Sequence, residues 1–240
     1  MDARLVETGA FPSRARAQAA VRAGLVRVDG AVVAKPSLSV ATDAAIQVDG
    51  DVHPYVSRGG VKLAAALDAF EIDPKGLVAL DLGASTGGFT DVLLRRNAAK
   101  VFAVDVGTDQ IHVAIKSDRR VVNLEKTHAK DLSPALIADP IDLIVCDVSF
   151  ISLRNALPPA LALAAPGARL AVLVKPQFEV GPTGLGKGGL VKPGLAAPAA
   201  DAIRQWLARE CGWRVIDLIE SPIEGGDGNA EFLLGAEKTP

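Results

Sequence analysis

Four charged residues stand at the borders of short apolar segments, and their types suit proton transfer. Asp147 and Lys175 each end an apolar segment, Glu231 begins a late one, and Lys62 follows a pair of glycines. In open α/β sheets ligands bind beyond the carboxyl ends of the strands, where Asp147 and Lys175 would fall. Taken one at a time, each residue is also explained by an ordinary surface ion pair.

A glycine-rich segment, residues 80–90, separates an apolar segment from a predicted helix. Gly83, Gly87 and Gly88 permit a tight turn and a close approach of ligand to backbone. Asp105 ends the next apolar segment, about twenty residues on, where a carboxylate can accept hydrogen bonds from ribose hydroxyls. Because the glycines follow G-x-x-x-G-G and not the dinucleotide pattern, the segment favours S-adenosylmethionine over NAD; the alternative is a glycine-rich turn without a ligand.

The same segment contains Gly-Ala-Ser-Thr-Gly at 83–87, which matches the nucleophile elbow of hydrolases. That interpretation needs an acid and then a histidine later in the chain. The only histidines after Ser85 are His112 and His128, and the last 112 residues contain none. The hydrolase interpretation therefore lacks a histidine base.

Residues 181–188 resemble a phosphate-binding loop, but Gly188 stands where serine or threonine would hold magnesium. A flexible basic surface loop is the better interpretation. Its Lys187 and Lys192 could contact an RNA backbone.

The composition describes a soluble globular protein, and the length allows either one domain with a smaller second one or two small domains. The chain has 240 residues, is 49% hydrophobic and 22% charged, and carries a net charge of −2, so any nucleic-acid site must be a local patch. Two cysteines and three histidines exclude a disulfide framework and leave little for a metal site. The most apolar stretch, residues 157–174, is broken by prolines, Gly167 and Arg169, so we expect no membrane span and a cytoplasmic location.

Apolar segments alternate with helical patterns from residue 61 onward, which predicts a doubly wound, mostly parallel sheet covered on both faces. The predicted strands are 77–82, 100–105, 141–146 and 170–174, with late strands at 214–220 and 231–234. The predicted helices are 62–70, 90–97, 109–116, 153–163 and 199–210.

The first fifty residues form a different pattern, that of a small domain. Ser13 is a candidate N-cap for an alanine-rich helix, Gly24 its stop, and Asp29-Gly30 the turn of a hairpin. Residues 1–36 carry six basic and three acidic residues, which suggests either an RNA or DNA contact or a solvated helix face. Residues 51–58 are predicted to be a linker.

Together these motifs resemble the TlyA family, often called hemolysin A: an S4-like RNA-binding domain (1–50) followed by an FtsJ-type methyltransferase domain of Rossmann-like fold (59–240). The resemblance rests on short segments that cover nearly the whole chain. They are 11–14, 26–30, 35–37, 55–63, 81–91, 105–107, 147–153, 174–179, 186–189 and 221–234.

The resemblance implies S-adenosylmethionine-dependent 2′-O-methylation of a ribose in ribosomal RNA. The family's Lys-Asp-Lys-Glu tetrad maps onto Lys62, Asp147, Lys175 and Glu231. Lys175 is then the base or proton acceptor, Lys62 the neighbouring cation, and the two carboxylates orient the lysines. No metal is required.

The resemblance also implies two sets of binding residues. The expected cofactor-binding residues are Asp81, Gly83, Ala84, Ser85, Thr86, Gly87, Gly88, Phe89, Asp105 and His128. The expected RNA-binding residues are Arg4, Arg14, Arg16, Arg22, Arg27, Lys35, Arg58 and Lys187. Two positions depart from the family pattern: Asp109 replaces the usual glycine, and His128 the usual asparagine near the adenine pocket.

The expected substrate is a cytidine, in ribosomal RNA or a ribosomal subunit, and the enzyme is expected to be a monomer. The chain is at the short end of the family, which favours 23S over 16S rRNA. Two alternatives stay open: a non-catalytic ribosome assembly factor and a membrane-active hemolysin.

Overall fold

The computed structural model describes residues 1–11, 13–22, 24–48, 53–225 and 227–239. The chain divides into two compact units, Met1–Pro54 and Tyr55–Pro240. The predicted linker at 51–58 begins at two residues that lie outside the described part of the chain.

The first unit contains two helices and a small antiparallel sheet. The helices are α1 (Asp2–Glu7) and α2 (Arg14–Arg22); the strands are β1 (Val26–Val28), β2 (Ala31–Val32) and β3 (Ile46–Val48), in the order β2-β1-β3. The Arg16 N–H points to Ser13 Oγ at 3.4 Å, and Gly24 follows α2 with a φ of +72°. Asp29 and Gly30 both have positive φ between β1 and β2, so the predicted cap, stop and hairpin are confirmed.

The second unit is built on a seven-stranded sheet. Its helices are α3 (Gly59–Ala69), α4 (Gly88–Arg95), α5 (Val113–Lys116), α6 (Leu153–Ala162) and α7 (Ala196–Arg209). Its strands are β4 (Val78–Leu82), β5 (Lys100–Val104), β6 (Val121–Leu124), β7 (Ile141–Cys146), β8 (Ala164–Val174), β9 (Trp213–Glu220) and β10 (Phe232–Lys238).

The strand order is β6-β5-β4-β7-β8-β10-β9, parallel from β6 to β8, with β10 antiparallel to both of its neighbours. The chain therefore leaves β4 to build one half of the sheet and returns at β7 to build the other. In such sheets the crevice beyond β4 and β7 is where ligands bind. The predicted mostly parallel, doubly wound fold with late antiparallel strands is confirmed.

Both faces of the sheet are buried, because alternate residues of each strand enter different cores. Leu80 and Ile144 pack in one core with Trp206, whereas Leu143 packs in the other with Leu67. This double burial explains why the central strands are mostly apolar and do not alternate between apolar and polar residues.

The predicted helix at 109–116 is confirmed only in its second half, since helix α5 begins at Val113. Asp109 has a φ of +54°, and His112 caps the helix by accepting a hydrogen bond from the Ala114 N–H at 3.2 Å. Strand β6 was not predicted. None of the described helices has the length and apolarity needed to cross a bilayer.

Candidate active site

Four loops meet at the carboxyl ends of β4, β5, β7 and β8. They carry the glycine-rich turn (83–88), Asp105, the segment 147–152 and the segment 175–179. The parallel pairing of these strands brings together residues that are far apart in the sequence.

Two glycines of the glycine-rich turn are required by the structure, one by contact with the end of β7 and one by its backbone conformation. Gly83 has a φ of +86°, and a Cβ there would lie 2.7 Å from the Asp147 carbonyl oxygen. Gly87 has a φ of +91° and is the N-cap of α4. Glycine is therefore needed at both positions for the turn to adopt this conformation.

Asp105 is held by the backbone of two loops. Its carboxylate accepts hydrogen bonds from the Ser85 N–H at 2.8 Å and the Gly107 N–H at 2.7 Å. These bonds fix the carboxylate at the end of β5, and each oxygen keeps a further lone pair for a ligand hydroxyl.

Three cavities open along this edge of the sheet. The β4–β5 cavity, of about 490 Å³, is bordered by Leu82, Gly83, Ser85, Asp105, His128 and Asp147, among others. The glycine-loop cavity, of about 240 Å³, is bordered by Ala84, Thr86, Gly88, Phe89, Asp147 and Lys175, among others. The β8–β10 cavity, of about 450 Å³, is bordered by Ser149, Phe150, Lys175, Gln177, Phe178, Asp227 and Glu231, among others. Two of the three have the size of small-molecule sites.

Eight of the ten expected cofactor-binding residues line the first two cavities, whereas Asp81 and Gly87 line neither. Asp81 is fully buried and accepts a hydrogen bond from the Thr90 hydroxyl at 2.6 Å. Burial, with the charges of Asp147 and Asp105 nearby, raises the pKa of Asp81 to about 7. Its hydrogen bond joins the end of β4 to α4 beneath the turn.

The four tetrad residues form two ion pairs. Lys175 Nζ lies 2.7 Å from Asp147 Oδ1 and donates a hydrogen bond to Ser149 Oγ at 2.8 Å. Lys62, on α3, pairs with Glu231, which directly precedes β10, and both are buried. The neighbours of Lys175 that these contacts identify are thus Asp147 and Ser149, whereas the sequence suggested Lys62.

Lys175 lies between two cavities, since it lines both the glycine-loop cavity and the β8–β10 cavity. A group bound in one cavity and a group bound in the other would both come close to this amine. Asp147 likewise lines the β4–β5 cavity and the glycine-loop cavity. This arrangement suits a transfer reaction between two bound molecules.

Ser149, Phe150 and Gln177 were not predicted as site residues. Phe150 is 91% exposed, has a φ of +64°, and its ring lies 5.2 Å from that of Phe178. An exposed aromatic residue held in a strained backbone conformation marks a candidate contact. Two sequence signals were available: these residues stand two or three positions after Asp147 or Lys175, and they lie in the motif segments 147–153 and 174–179.

The described contacts give no support to the two competing motifs. Neither His112 nor His128 is hydrogen-bonded to the Ser85 side chain in the described structure. Residues 181–188 do not connect a strand directly to a helix N-terminus, as a phosphate-binding loop does; they contain one 3₁₀ turn, 182–184, and enter a second, 187–189. Among the described residues, no group of three or more His, Cys, Asp or Glu could hold a metal ion.

Several expected RNA-binding residues already have partners within their own unit. Arg14 pairs with Asp2 at 3.0 Å, and this carboxylate also accepts a hydrogen bond from Gln18. Hydrogen bonds to backbone carbonyls hold the guanidinium groups of Arg4, Arg16, Arg27 and Arg58. Arg22, Lys35 and Lys187 are exposed.

Comparisons with known proteins identify both units. The FtsJ-like methyltransferase family matches residues 55–238, and the S4 domain matches residues 2–46. The 16S/23S rRNA (cytidine-2′-O)-methyltransferase TlyA of Mycobacterium tuberculosis is 45% identical over 98% of this chain and 88% of its own length.

Two further proteins agree with this assignment. The 23S rRNA (cytidine-2′-O)-methyltransferase TlyA of Campylobacter jejuni is 37% identical over 75% of this chain and 69% of its own length. A solved structure from Streptococcus thermophilus, provisionally described as a hemolysin, has a TM-score of 0.79 at 37% identity and covers 99% of this chain and 87% of its own. The chain therefore belongs to the FtsJ-like methyltransferases and, with its S4 domain, to the TlyA family within them.

Proposed function

We propose that this protein transfers the methyl group of S-adenosylmethionine to the 2′-hydroxyl of a cytidine in ribosomal RNA. The observation that carries the proposal is the position of Lys175, fixed by Asp147 and Ser149 between two cavities. The names of both TlyA relatives specify cytidine 2′-O-methylation, and both include 23S rRNA. The large-subunit RNA is therefore the first target to test.

The residues of the first two cavities fit S-adenosylmethionine. Asp105 is placed to accept hydrogen bonds from ribose hydroxyls, and the β4–β5 cavity extends from it to His128. The glycine-loop cavity, where a Cβ on Gly83 would collide with the β7 backbone, suits the methionine part of the molecule. When bound, S-adenosylmethionine supplies an electrophilic methyl group.

The amine of Lys175 is oriented to accept a proton. A neutral lysine has two N–H donors and one lone pair. Lys175 Nζ donates a hydrogen bond to Ser149 Oγ and forms an ion pair with Asp147 Oδ1, so these two contacts orient the amine, and its lone pair in the neutral form is left for the 2′-hydroxyl proton. Once protonated, the ammonium group is stabilised by Asp147. Positioning of the hydroxyl supplies the rest of the catalysis.

The β8–β10 cavity is the proposed site of the target nucleoside. Phe150 and Phe178 provide aromatic surface, on which a base can stack once it leaves the RNA helix. Glu231 lines the same cavity and is held by Lys62. A ribose in this cavity would present its hydroxyl to Lys175.

The test is transfer of labelled methyl groups to purified small and large ribosomal subunits by wild type, Lys175→Ala and Lys75→Ala. General base catalysis is worth about 100-fold or more, so we expect at least that loss for Lys175→Ala. Lys75, exposed before β4 and outside these cavities, is the matched control and should behave as wild type.

We expect label in large-subunit RNA, resistant to alkali at the modified dinucleotide because the 2′-oxygen is blocked. Alkali-sensitive label or label in protein would contradict ribose methylation. Label that persists in Lys175→Ala would remove Lys175 from the reaction. Label in both subunits would extend the substrate to 16S rRNA.

A further inference from the structure

Gln177 presents an unsatisfied hydrogen-bond acceptor beside Lys175. It lies in a 3₁₀ turn (Pro176–Phe178) that follows β8, and it is only 8% exposed. Gln177 is one of the residues that line the β8–β10 cavity, and its buried Oε1 accepts no hydrogen bond from the described residues. A buried amide oxygen without a partner is costly, and a molecule bound in the adjoining cavity could supply that partner.

Asp227 fixes the orientation of the Gln177 amide. Gln177 Nε2 donates to Asp227 Oδ2 at 3.2 Å. The same carboxylate accepts hydrogen bonds from the backbone N–H of Asn229 at 3.1 Å and from its side-chain amide at 3.0 Å. An ionised carboxylate only accepts, so Nε2 must face Asp227 and Oε1 must face away from it. The hydrogen bonds of Asn229 and Gln177 hold the pKa of Asp227 below its usual value, which keeps it ionised.

Asn229, which holds Asp227, is buried, and its side-chain amide is hydrogen-bonded through both the nitrogen and the oxygen. Asn229 is 3% exposed, donates to the Gly189 carbonyl at 3.2 Å and accepts from the Val191 N–H at 2.9 Å. These bonds join the loop before β10 to the loop before α7. The acceptor on Gln177 is therefore held in place before any substrate binds, as discrimination requires.

We infer that Gln177 Oε1 reads the base of the target nucleotide by accepting a hydrogen bond from its exocyclic amino group. Cytosine carries this amino group at C4, whereas uracil carries a carbonyl oxygen at C4. Two acceptors would then face each other, and Oε1 would stay without a hydrogen bond. This inference rests on the proposed function and names the residue that makes the methyl transfer selective for cytidine. Gln177 acts on specificity, and Lys175 remains the group that takes the proton.

The test compares subunits purified from cells whose rRNA carries either cytidine or uridine at the nucleotide that wild type methylates. We expect wild type to prefer cytidine. Gln177→Ala should lower kcat/KM on cytidine subunits about 5- to 100-fold, the range for loss of one base-reading contact. The kcat/KM on uridine subunits should stay unchanged. Gln205→Ala is the matched control, because Gln205 Nε2 also donates to an aspartate, Asp201 Oδ2 at 2.5 Å, but on α7.

Asp227→Asn supplies a second, isosteric test. The Asn229 N–H requires an acceptor at the position of Oδ1, so the new amide nitrogen takes the position of Oδ2. The Asn229 side-chain amide loses one acceptor there but keeps the Gly189 carbonyl. Gln177 must then turn its Oε1 toward the new amide nitrogen and its Nε2 toward the cavity, where it can donate to uracil. We expect the preference to move from cytidine toward uridine.

The outcomes separate this inference from the proposed function. If wild type labels no RNA, the proposed function fails. If wild type labels cytidine and uridine subunits equally, or if both variants keep the full wild-type preference, RNA methylation stands and the role of Gln177 is overturned.

Discussion

At the scale of the residue, Asp81 carries a carboxyl group that the fold removes from water. Thr90 donates to Oδ2, and Oδ1 accepts no hydrogen bond from the described residues. Burial raises the pKa of Asp81 from 3.8 to about 7, and the negative charges of Asp147 and Asp105 add to this shift. The native state therefore binds this proton more tightly than the unfolded chain does.

This shift predicts a loss of stability with rising pH. Between pH 3.8 and about 7 the native state holds more protons than the unfolded state, so the free energy of unfolding falls as pH rises through this range. From pH 5 to pH 8 the contribution is about 3 kcal/mol at 1.36 kcal/mol per pKa unit. Asp81→Asn should remove this part of the fall. Urea unfolding of both proteins at the two pH values measures it, and an equal fall in both would contradict the shift.

The strand-end residues could be predicted from the sequence because their segments are visibly apolar up to the last residue. The contacts between them could not. Asp147 and Ser149 contact Lys175 only because β7 and β8 are parallel neighbours. The acceptor on Gln177 depends on Asp227, fifty positions away, and on the direction of an amide, which no local pattern records.

At the scale of the element, Glu179 joins the two loops that carry the candidate catalytic groups. Its carboxylate accepts hydrogen bonds from the Ser152 hydroxyl at 2.6 Å and the Leu153 N–H at 2.9 Å, at the N-terminus of α6. A carboxylate is favourable at a helix N-terminus, although partial burial raises the pKa of Glu179. The segment 147–152 is thereby tied to the segment 175–179.

Removing the Glu179 carboxylate should make the relative position of the two loops less fixed, while every tetrad residue stays present. Glu179→Ala loses hydrogen bonds to a charged group, each worth about 1.5–3 kcal/mol, so we expect lower stability and a kcat reduced about tenfold or more. The KM for S-adenosylmethionine should change little, since Glu179 lines neither proposed cofactor cavity.

Glu179→Gln can still accept from the Leu153 N–H and should restore most of the activity. Glu210→Ala, at an exposed carboxylate that pairs with Arg154, is the matched control. Equal kcat values for Glu179→Ala and wild type would show that the two loops hold their positions without this tie.

Elements whose conformation is set by their own residues were easier to predict than elements that form only through pairing with a neighbouring strand. The Asp29-Gly30 turn and the helix cap at Ser13 follow from local chemistry. Strand β6 is only half buried at the edge of the sheet and exists through its pairing with β5, so its sequence carries a weak signal. The short α5 reflects the left-handed backbone at Asp109, which a helical pattern cannot reveal.

At the scale of the whole molecule, the first unit is not basic overall. Residues 1–54 carry six basic and six acidic residues, so RNA binding by this unit would depend on where its cations lie. Arg14, Arg22 and Lys35 are all exposed, but Arg14 is paired with Asp2. Among the described residues no carboxylate pairs with Arg22 or Lys35, so these two cations are the better candidates for phosphate contacts.

Neutralising the accessible cations should weaken RNA binding and leave the reaction itself intact. For Arg22→Gln with Lys35→Gln we expect a higher KM for ribosomal subunits and an unchanged kcat, because the unit contains no tetrad residue and, under the proposed function, serves to bind RNA. The logarithm of affinity should depend less steeply on the logarithm of salt concentration, by about 1 to 2 in slope, if both cations contact phosphate. The matched control is Arg119→Gln with Arg209→Gln, which removes two exposed cations from the second unit and so changes the net charge by the same amount. An equal loss of affinity in this control would mean that RNA responds to total charge and not to these two positions.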